Sequence, residues 1–310
     1  MEGGLRHRPK TLDEVFRLRE REPECRLLAG GTDLCVQHRG RLGETPLLSL
    51  RRVAELRGVA RSRPDLPGAA DLLPGGECLR IGAGTTLSAL LNETEIERGF
   101  PALRAALSAI GSRQIRNVAT IGGNLCNASP AADGAPPLLV LDAAVEIASR
   151  EGRRLLPLEE FFRGPGRTSL GAEEILAAVW VPLPFEDEVS VFLRKGRVKM
   201  DIAIASLALR CRRGAGTLSG LRLAAGAVGP TPLRLRRTEA LLEGASLKDC
   251  GLVREPGGRP RAREDGLLAR AMDEASKEIA PIDDLRASAW YRRRLVRVFL
   301  ERAVAEVFAQ

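Results

Sequence analysis

Aromatic side chains are scarce in this chain: eight Phe, two Trp and one Tyr in 310 residues, 4% in all. A core of any size therefore has to be built from Leu, Val, Ile and Ala, which the 44% hydrophobic content supplies. Histidine is scarcer still, with only His7 and His38. The six cysteines (Cys25, Cys35, Cys78, Cys126, Cys211 and Cys250) form no CxxC pair and no metal-ligand spacing. That combination argues against a zinc or iron–sulfur site in this chain, and the expected metal ligands are none. No apolar run approaches the roughly 20 residues of a membrane span. The N-terminal MEGGLRHRPKTLDEVF has no apolar leader segment, so free thiols and a cytoplasmic protein without a membrane span are expected.

Charge is there in excess of one sign. The net charge is +8, and the surplus is arginine concentrated in REPGGRPRAR at 254–263 and YRRR at 291–294. Neither stretch is interleaved with aromatics, and no helix-turn-helix or finger motif accompanies them, so nucleic acid is not the expected partner. An arginine-rich surface, or an interface with an acidic partner protein, fits them better.

The length suits two domains. Thr11-Leu-Asp-Glu14 has the spacing of a capping box and starts a helix. Arg26 to Ala29 and Leu47 to Leu50 read as short strands, with a turn of helix at Val53 to Leu56. Residues 61–78 hold three prolines and three glycines and read as a loop or exposed hairpin insertion. Leu79 to Gly82 is a strand, Ser88 to Leu91 starts a helix, and Pro101 to Ile110 has helical apolar spacing. Glu174 to Pro182 is an apolar strand ended by proline. From 189 the pattern becomes an antiparallel meander of three strands: Val189 to Arg194, Asp201 to Arg212 and Leu218 to Val228. Helices follow at Thr238 to Leu242, Leu267 to Ile279 and Ser288 to Phe308, the last with the stripe Val296, Phe299, Leu300, Ala303 and Val307. The expected boundary lies near 185: a first domain of 1–185, in lobes of about 1–55 and 56–185, and a second of 186–310.

Two glycine pairs stand out. In Leu28-Ala29-Gly30-Gly31-Thr32-Asp33-Leu34 a strand runs into paired glycines, a hydroxyl and a carboxylate. Glycines let several N–H groups point into one concavity that suits an anion, and let a ligand touch the main chain. The spacing is neither a Rossmann nor a Walker pattern. RNVATIGGNLCNASPAAD at 116–133 repeats the logic, with Thr120-Ile121-Gly122-Gly123-Asn124 followed by Ser129 and Asp133. It reads as a loop lying flat on a large ligand, with Asp133 suited to ribose hydroxyls. Gly82-Ala-Gly-Thr-Thr86 is a weaker third case. Two such stretches point to a phosphate-bearing cofactor; a pair of tight buried turns is the alternative.

AGGTD at 29–33, IGAGTT at 81–86, IGSRQIRNVATIGGNL at 110–125 and ASPAAD at 128–133 resemble the FAD-binding medium subunit of the molybdenum hydroxylases, which include xanthine dehydrogenase and carbon monoxide dehydrogenase. FFRGPG at 161–166, DIAIAS at 201–206, GAVGPT at 226–231 and RASAWYR at 286–292 extend the likeness across the chain. The resemblance implies an α+β fold: a two-lobed FAD-binding domain of the vanillyl-alcohol-oxidase/PCMH type, then a C-terminal α+β domain with a three-stranded antiparallel sheet and helices. It implies that Leu28 to Leu34 and Thr120 to Asn124 bind the pyrophosphate of FAD through backbone N–H groups. It places Ser129 and Asp133 along the ribityl and ribose portion, and Ile110 beside the cofactor. The only tyrosine, Tyr291, falls in the last helix, so a tyrosine against the flavin ring is absent.

The implied function is electron relay. Electrons from 2Fe–2S clusters of a small partner subunit would pass through FAD to NAD or another acceptor. A molybdopterin-binding large subunit would hydroxylate the substrate. The redox chemistry belongs to the cofactor, so no catalytic residue is expected here. A stand-alone FAD oxidoreductase of the same superfold, and a scaffold subunit that has lost FAD, are the other readings. The arginines of YRRR (Arg292, Arg293 and Arg294) are expected to dock on a partner subunit.

Overall fold

Thr11 caps the first helix, Leu12–Arg21, by accepting from the Glu14 N–H at 3.2 Å. The reciprocal half of the capping box is shifted by one residue, because the Glu14 carboxylate takes the Lys10 N–H at 2.7 Å. This helix connects strand Gly4–His7 to strand Arg26–Leu28, and both pair in parallel with Pro46–Ser49 between them. The structure, a computed structural model, describes residues 4–39, 44, 46–214, 216–253 and 260–309. The chain folds into two compact units. Unit 1 comprises 1–93, 111–128 and 142–183; unit 2 comprises 94–110, 129–141 and 184–310.

Besides the three-stranded parallel sheet, unit 1 contains a five-stranded antiparallel sheet in the order Val59–Ser62, Cys78–Gly82, Ile175–Pro182, Ala144–Ala148, Arg153–Pro157. The central strand Ile175–Pro182 is covered on both faces, and its sequence is an unbroken apolar run instead of an alternating one. Leu12 and Val15 of the first helix and Leu48 of the small sheet share one core with Ala148, Ile175 and Ala177 of the large sheet. The proline-rich stretch at 61–78 closes the hairpin between Val59–Ser62 and Cys78–Gly82, with the short helix Ala69–Leu72 within it. Glu146 is buried in the middle of the large sheet. It accepts from Trp180 Nε1 at 2.8 Å and Arg80 Nε at 3.4 Å, and also pairs with Arg153, so its charge is matched.

Unit 2 is built on an antiparallel sheet of Glu188–Lys195, Ala205–Gly214, Thr217–Gly226 and Leu233–Arg234. The expected three-stranded meander therefore gains a fourth, two-residue strand. Arg234 is buried there in a two-pronged pair with Glu239, at 2.6 and 2.8 Å. The second strand also starts four residues later than the sequence suggests. The Asp201 N–H closes a turn on the Val198 carbonyl at 3.2 Å, and its carboxylate accepts from Arg197 and from the Ile202 N–H at 2.9 Å, which keeps 201–204 out of the strand. Helices Leu267–Glu278 and Ala289–Val307 pack with this sheet, and Val296, Phe299, Leu300, Ala303 and Val307 are all buried. Helix Ala135–Val140, buried throughout, packs on the same sheet. Among the described residues, no helix is long and apolar enough to cross a membrane.

Arg292 corrects the reading of YRRR. It is 3% exposed and donates to the Ile204 carbonyl at 2.6 Å, the Ala227 carbonyl at 2.9 Å and Asp284 Oδ1 at 2.7 Å. It holds the unit together and is not available to a partner. Most of REPGGRPRAR, residues 254–259, lies outside the described residues.

Candidate cofactor-binding site

Both glycine pairs turn out to sit at helix starts. Gly31 adopts φ +73°, a left-handed conformation suited to glycine, and precedes the helix Thr32–Gln37. No side chain caps this helix, and its first internal bond runs from the Cys35 N–H to the Gly31 carbonyl at 2.9 Å. The N–H groups of Thr32, Asp33 and Leu34 are thus the donors that a helix start leaves unused by its own backbone. Such donors suit an anion, and a phosphate above all.

The second pair does not form the loop expected for 116–133. Ser112 caps the short helix Arg113–Arg116, and Thr120 caps the helix Ile121–Cys126, accepting from the Gly123 N–H at 3.0 Å. The Ile121 N–H donates to the Thr85 carbonyl at 3.1 Å, Gly122 to the Ala83 carbonyl at 2.8 Å and Asn124 to the Thr120 carbonyl at 3.0 Å. Of the backbone donors assigned to phosphate at Thr120 to Asn124, those of Ile121, Gly122, Gly123 and Asn124 are already engaged within the protein. What this segment offers a ligand is different. A Cβ at Gly123 would meet only the Thr120 hydroxyl at 3.0 Å and Ala29 Cβ at 4.0 Å. Asn124 Oδ1 is buried with no hydrogen-bond partner, an acceptor that wants a donor.

The two segments meet in unit 1 because side chains are missing. A Cβ on Gly30 would lie 2.8 Å from Ala119 Cα and closer still to the Val118 carbonyl oxygen. A Cβ on Gly122 would lie 2.6 Å from Ala83 Cβ. Gly30 and Gly122 are therefore small so that protein can pack on protein. Gly123 is the one that leaves room for something else. IGAGTT joins the same assembly, since Ala83 and Thr85 supply the carbonyls that receive the second helix start.

Ile110, Ser129 and Asp133 belong to unit 2. Ile110 follows the helix Pro101–Ala109 and is half-buried. Ser129 Oγ accepts from the Ala131 N–H at 3.3 Å in a local turn. Asp133 is buried and pairs with Arg194, whose Nε donates to Oδ1 at 3.2 Å. Burial pushes the Asp133 carboxyl up to about 6, with the Arg194 charge working against that rise. Arg194 is a residue that the sequence reading missed. It stands 61 positions away from Asp133, and nothing local marks the pair.

One cluster of ligand-type side chains also escaped the sequence reading. His7 Nε2 lies 2.8 Å from Glu22 Oε1, and Cys25 Sγ 3.5 Å from Glu22 Oε2. Arg6 donates to the same carboxylate at 3.1 Å and holds it below the usual carboxylate range. The positive charge that Glu22 needs is thus supplied by arginine.

Residues 4–184 match the family described as the FAD binding domain in molybdopterin dehydrogenase. The chain belongs to that family. Residues 191–255 and 258–307 match the CO dehydrogenase flavoprotein C-terminal domain, so the FAD-binding domain is followed by the family's C-terminal domain. This flavoprotein chain is 35% identical to the xanthine dehydrogenase FAD-binding subunit of Escherichia coli O157:H7 over 306 residues, 98% of this chain and 95% of that one. It is 27% identical to the carbon monoxide dehydrogenase medium chain of Hydrogenophaga pseudoflava over 98% of this chain and 96% of that one. Among solved structures, a chain of the Cu,Mo-CO dehydrogenase in its cyanide-inactivated form superposes with a TM-score of 0.84 at 27% identity, covering 100% of this chain and 99% of that chain. FAD is the cofactor of this oxidoreductase family, and the unused N–H groups at 32–34, the space above Gly123 and the unpaired Asn124 Oδ1 fit a phosphate-bearing, hydroxyl-rich ligand.

Proposed function

We propose that this chain is the flavin subunit of a multi-subunit molybdenum hydroxylase. It takes electrons from 2Fe–2S clusters of a small partner subunit and passes them through FAD to NAD or another acceptor, while a molybdopterin-binding large subunit carries the substrate reaction. The observation that carries the reading is the meeting of the two glycine pairs in unit 1, one presenting unused N–H groups and the other an open position and an unpaired acceptor. The names of the relatives, which are FAD subunits and medium chains of dehydrogenases, support it.

In this reading Thr32, Asp33 and Leu34 hold the pyrophosphate by their N–H groups, with Leu28, Ala29, Gly30 and Gly31 shaping the approach. Thr120, Ile121 and Gly122 fix the second helix start, Gly123 leaves the surface bare, and Asn124 Oδ1 accepts from a ligand hydroxyl. Ser129 and Asp133 serve the ribityl and ribose portion, and Ile110 lies beside the cofactor. Residues 1–185 form the FAD-binding domain and 186–310 the C-terminal domain; the family matches, which break between 184 and 191, support that division. Bound FAD supplies the exchange between one-electron and two-electron carriers, and the protein supplies binding and orientation. No acid, base or nucleophile is asked of this chain.

The test is purification of the complex with metal analysis. Molybdenum and iron should co-purify with the flavin, and substrate-dependent reduction of NAD⁺ or of an artificial acceptor should follow. A yellow chain that co-purifies with neither metal would instead be a stand-alone flavin oxidoreductase.

A further inference from the structure

One group of side chains in unit 1 has no part in the proposed electron relay. His7, Glu22 and Cys25 bring their ligand atoms together, all within 4.8 Å of one another. Among the described residues it is the one such group of three. Three successive elements build it. His7 ends strand Gly4–His7, Glu22 follows helix Leu12–Arg21, and Cys25 precedes strand Arg26–Leu28. The Cys25 N–H donates to the Glu22 carbonyl at 3.0 Å, which fixes two of the ligands on one turn. Strand pairing opposite Leu48 fixes the third, His7.

The donor set selects the ion. Calcium and magnesium take oxygen ligands, whereas imidazole, thiolate and carboxylate together suit zinc and its neighbours. Cys25 is 4% exposed and closes the inner side, while the His7 and Glu22 side chains keep 24% and 30% of their exposure and leave an entry from solvent. His7 Nε2 and Glu22 Oε1 now share a proton at 2.8 Å. Two ligands of a tetrahedral zinc stand about 3.4 Å apart, so this pair has to open by roughly 0.6 Å, a small shift for a carboxylate at the surface. The competitor is Arg6, which donates to Glu22 Oε2 at 3.1 Å. A second acceptor, Glu24 Oε1, already lies 3.3 Å from the same Arg6 nitrogen, so the guanidinium can release Glu22 and stay paired. We propose that His7 Nε2, a Glu22 carboxylate oxygen and Cys25 Sγ form a site for a zinc-class divalent cation, with Arg6 moved across to Glu24 and water as the fourth ligand. Binding releases the Cys25 thiol proton to solvent and uses His7 in its neutral form. The ion ties the first strand and helix to the strand that leads into Gly30-Gly31.

Titration of the full-length chain with Zn²⁺ tests it, after removal of metal with a chelator and with the thiols kept reduced. One Zn²⁺ per chain should bind and raise Tm. Co²⁺ in its place should give the near-ultraviolet band of a cobalt–thiolate bond. His7→Gln and Cys25→Ser should each weaken zinc binding at least tenfold, and Cys25→Ser should also abolish the cobalt band. Cys35→Ser, at the exposed cysteine, should bind as wild type does. Arg6→Gln removes the competitor for Glu22 and should bind zinc more tightly. His7 is only half-buried, so His7→Gln should keep its metal-free Tm even if Cys25→Ser does not. A wild-type chain that retains no zinc would overturn the assignment. So would affinity within twofold of wild type in both His7→Gln and Cys25→Ser, or zinc binding lost in Cys35→Ser. None of these readouts depends on flavin, so the relay reading stands or falls separately.

Discussion

Gly122 and Gly123 are neighbours, yet the structure gives a methyl group opposite consequences at the two positions. At Gly122 it would lie 2.6 Å from Ala83 Cβ and 2.7 Å from the Ala83 carbonyl oxygen, the atom that accepts the Gly122 N–H. Overpacking of this kind costs about 1–3 kcal/mol, against roughly 1 kcal/mol gained by replacing glycine in a helix. Gly122→Ala should therefore leave the apoprotein less stable. At Gly123 the methyl would meet one hydroxyl, Thr120 Oγ1, at 3.0 Å, and Ala29 Cβ at an ordinary 4.0 Å. Gly123→Ala should keep apoprotein stability within about 1 kcal/mol of wild type, and Gly123→Val should still fold. If FAD lies over Gly123, the added bulk costs binding about 1–3 kcal/mol, roughly 5- to 150-fold in Kd. Urea unfolding of the apoproteins and titration with FAD separate the two effects. Full flavin occupancy in Gly123→Val, with an unchanged Kd, would refute the reasoning and leave this segment merely a tight helix start.

Three further outcomes follow from buried charges. Glu146→Ala strips Trp180, Arg80 and Arg153 of their shared partner and should cost about 3–5 kcal/mol in urea unfolding, with Glu146→Gln retaining part of that through the Trp180 bond. Arg292→Ala should destabilise unit 2 by a similar amount, about 3–5 kcal/mol, while Arg294→Glu, on an exposed residue stacked on Trp290, should unfold at the wild-type urea concentration. Asp133 is an acid whose folded-state pKa is raised, to about 6 from 3.8, so its contribution to stability is full below pH 4 and is lost as pH rises through 6. By about 1.4 kcal/mol per unit the loss approaches 3 kcal/mol. Stability should decline between pH 4 and 6.5 more steeply in wild type than in Asp133→Asn, and equal slopes would contradict that account.

Much of this architecture is legible wherever the pattern is local. The last helix announces its buried stripe through spacing alone. The continuous apolar run at 175–181 marks a strand covered on both faces, and the meander after 188 follows from its turns. Two classes of feature are not legible. The helix Ile121–Cys126 is hidden because its glycine pair lowers helix propensity and outweighs the local Thr120 cap, and the carbonyls of Ala83 and Thr85 that secure it lie outside any local pattern. Interior arginines are the other class. Arg194, Arg234 and Arg292 are buried or nearly so, matched by carboxylates 61, 5 and 8 positions away, pairings that composition does not reveal. Reading 291–294 as a uniform docking patch fails for that reason, as arginine is on the surface by default. The site itself is half legible. Glycine pairs flag close approach, but Gly30 and Gly122 serve protein packing, and the helix-start N–H groups left unused by their own backbone are those at 32–34 instead of on both segments.

The most direct test of the central claim is the visible spectrum of the purified chain, followed by acid release and identification of the chromophore. The account predicts a flavin spectrum with FAD released at one per chain. A colourless protein that also fails to take up added FAD would contradict it.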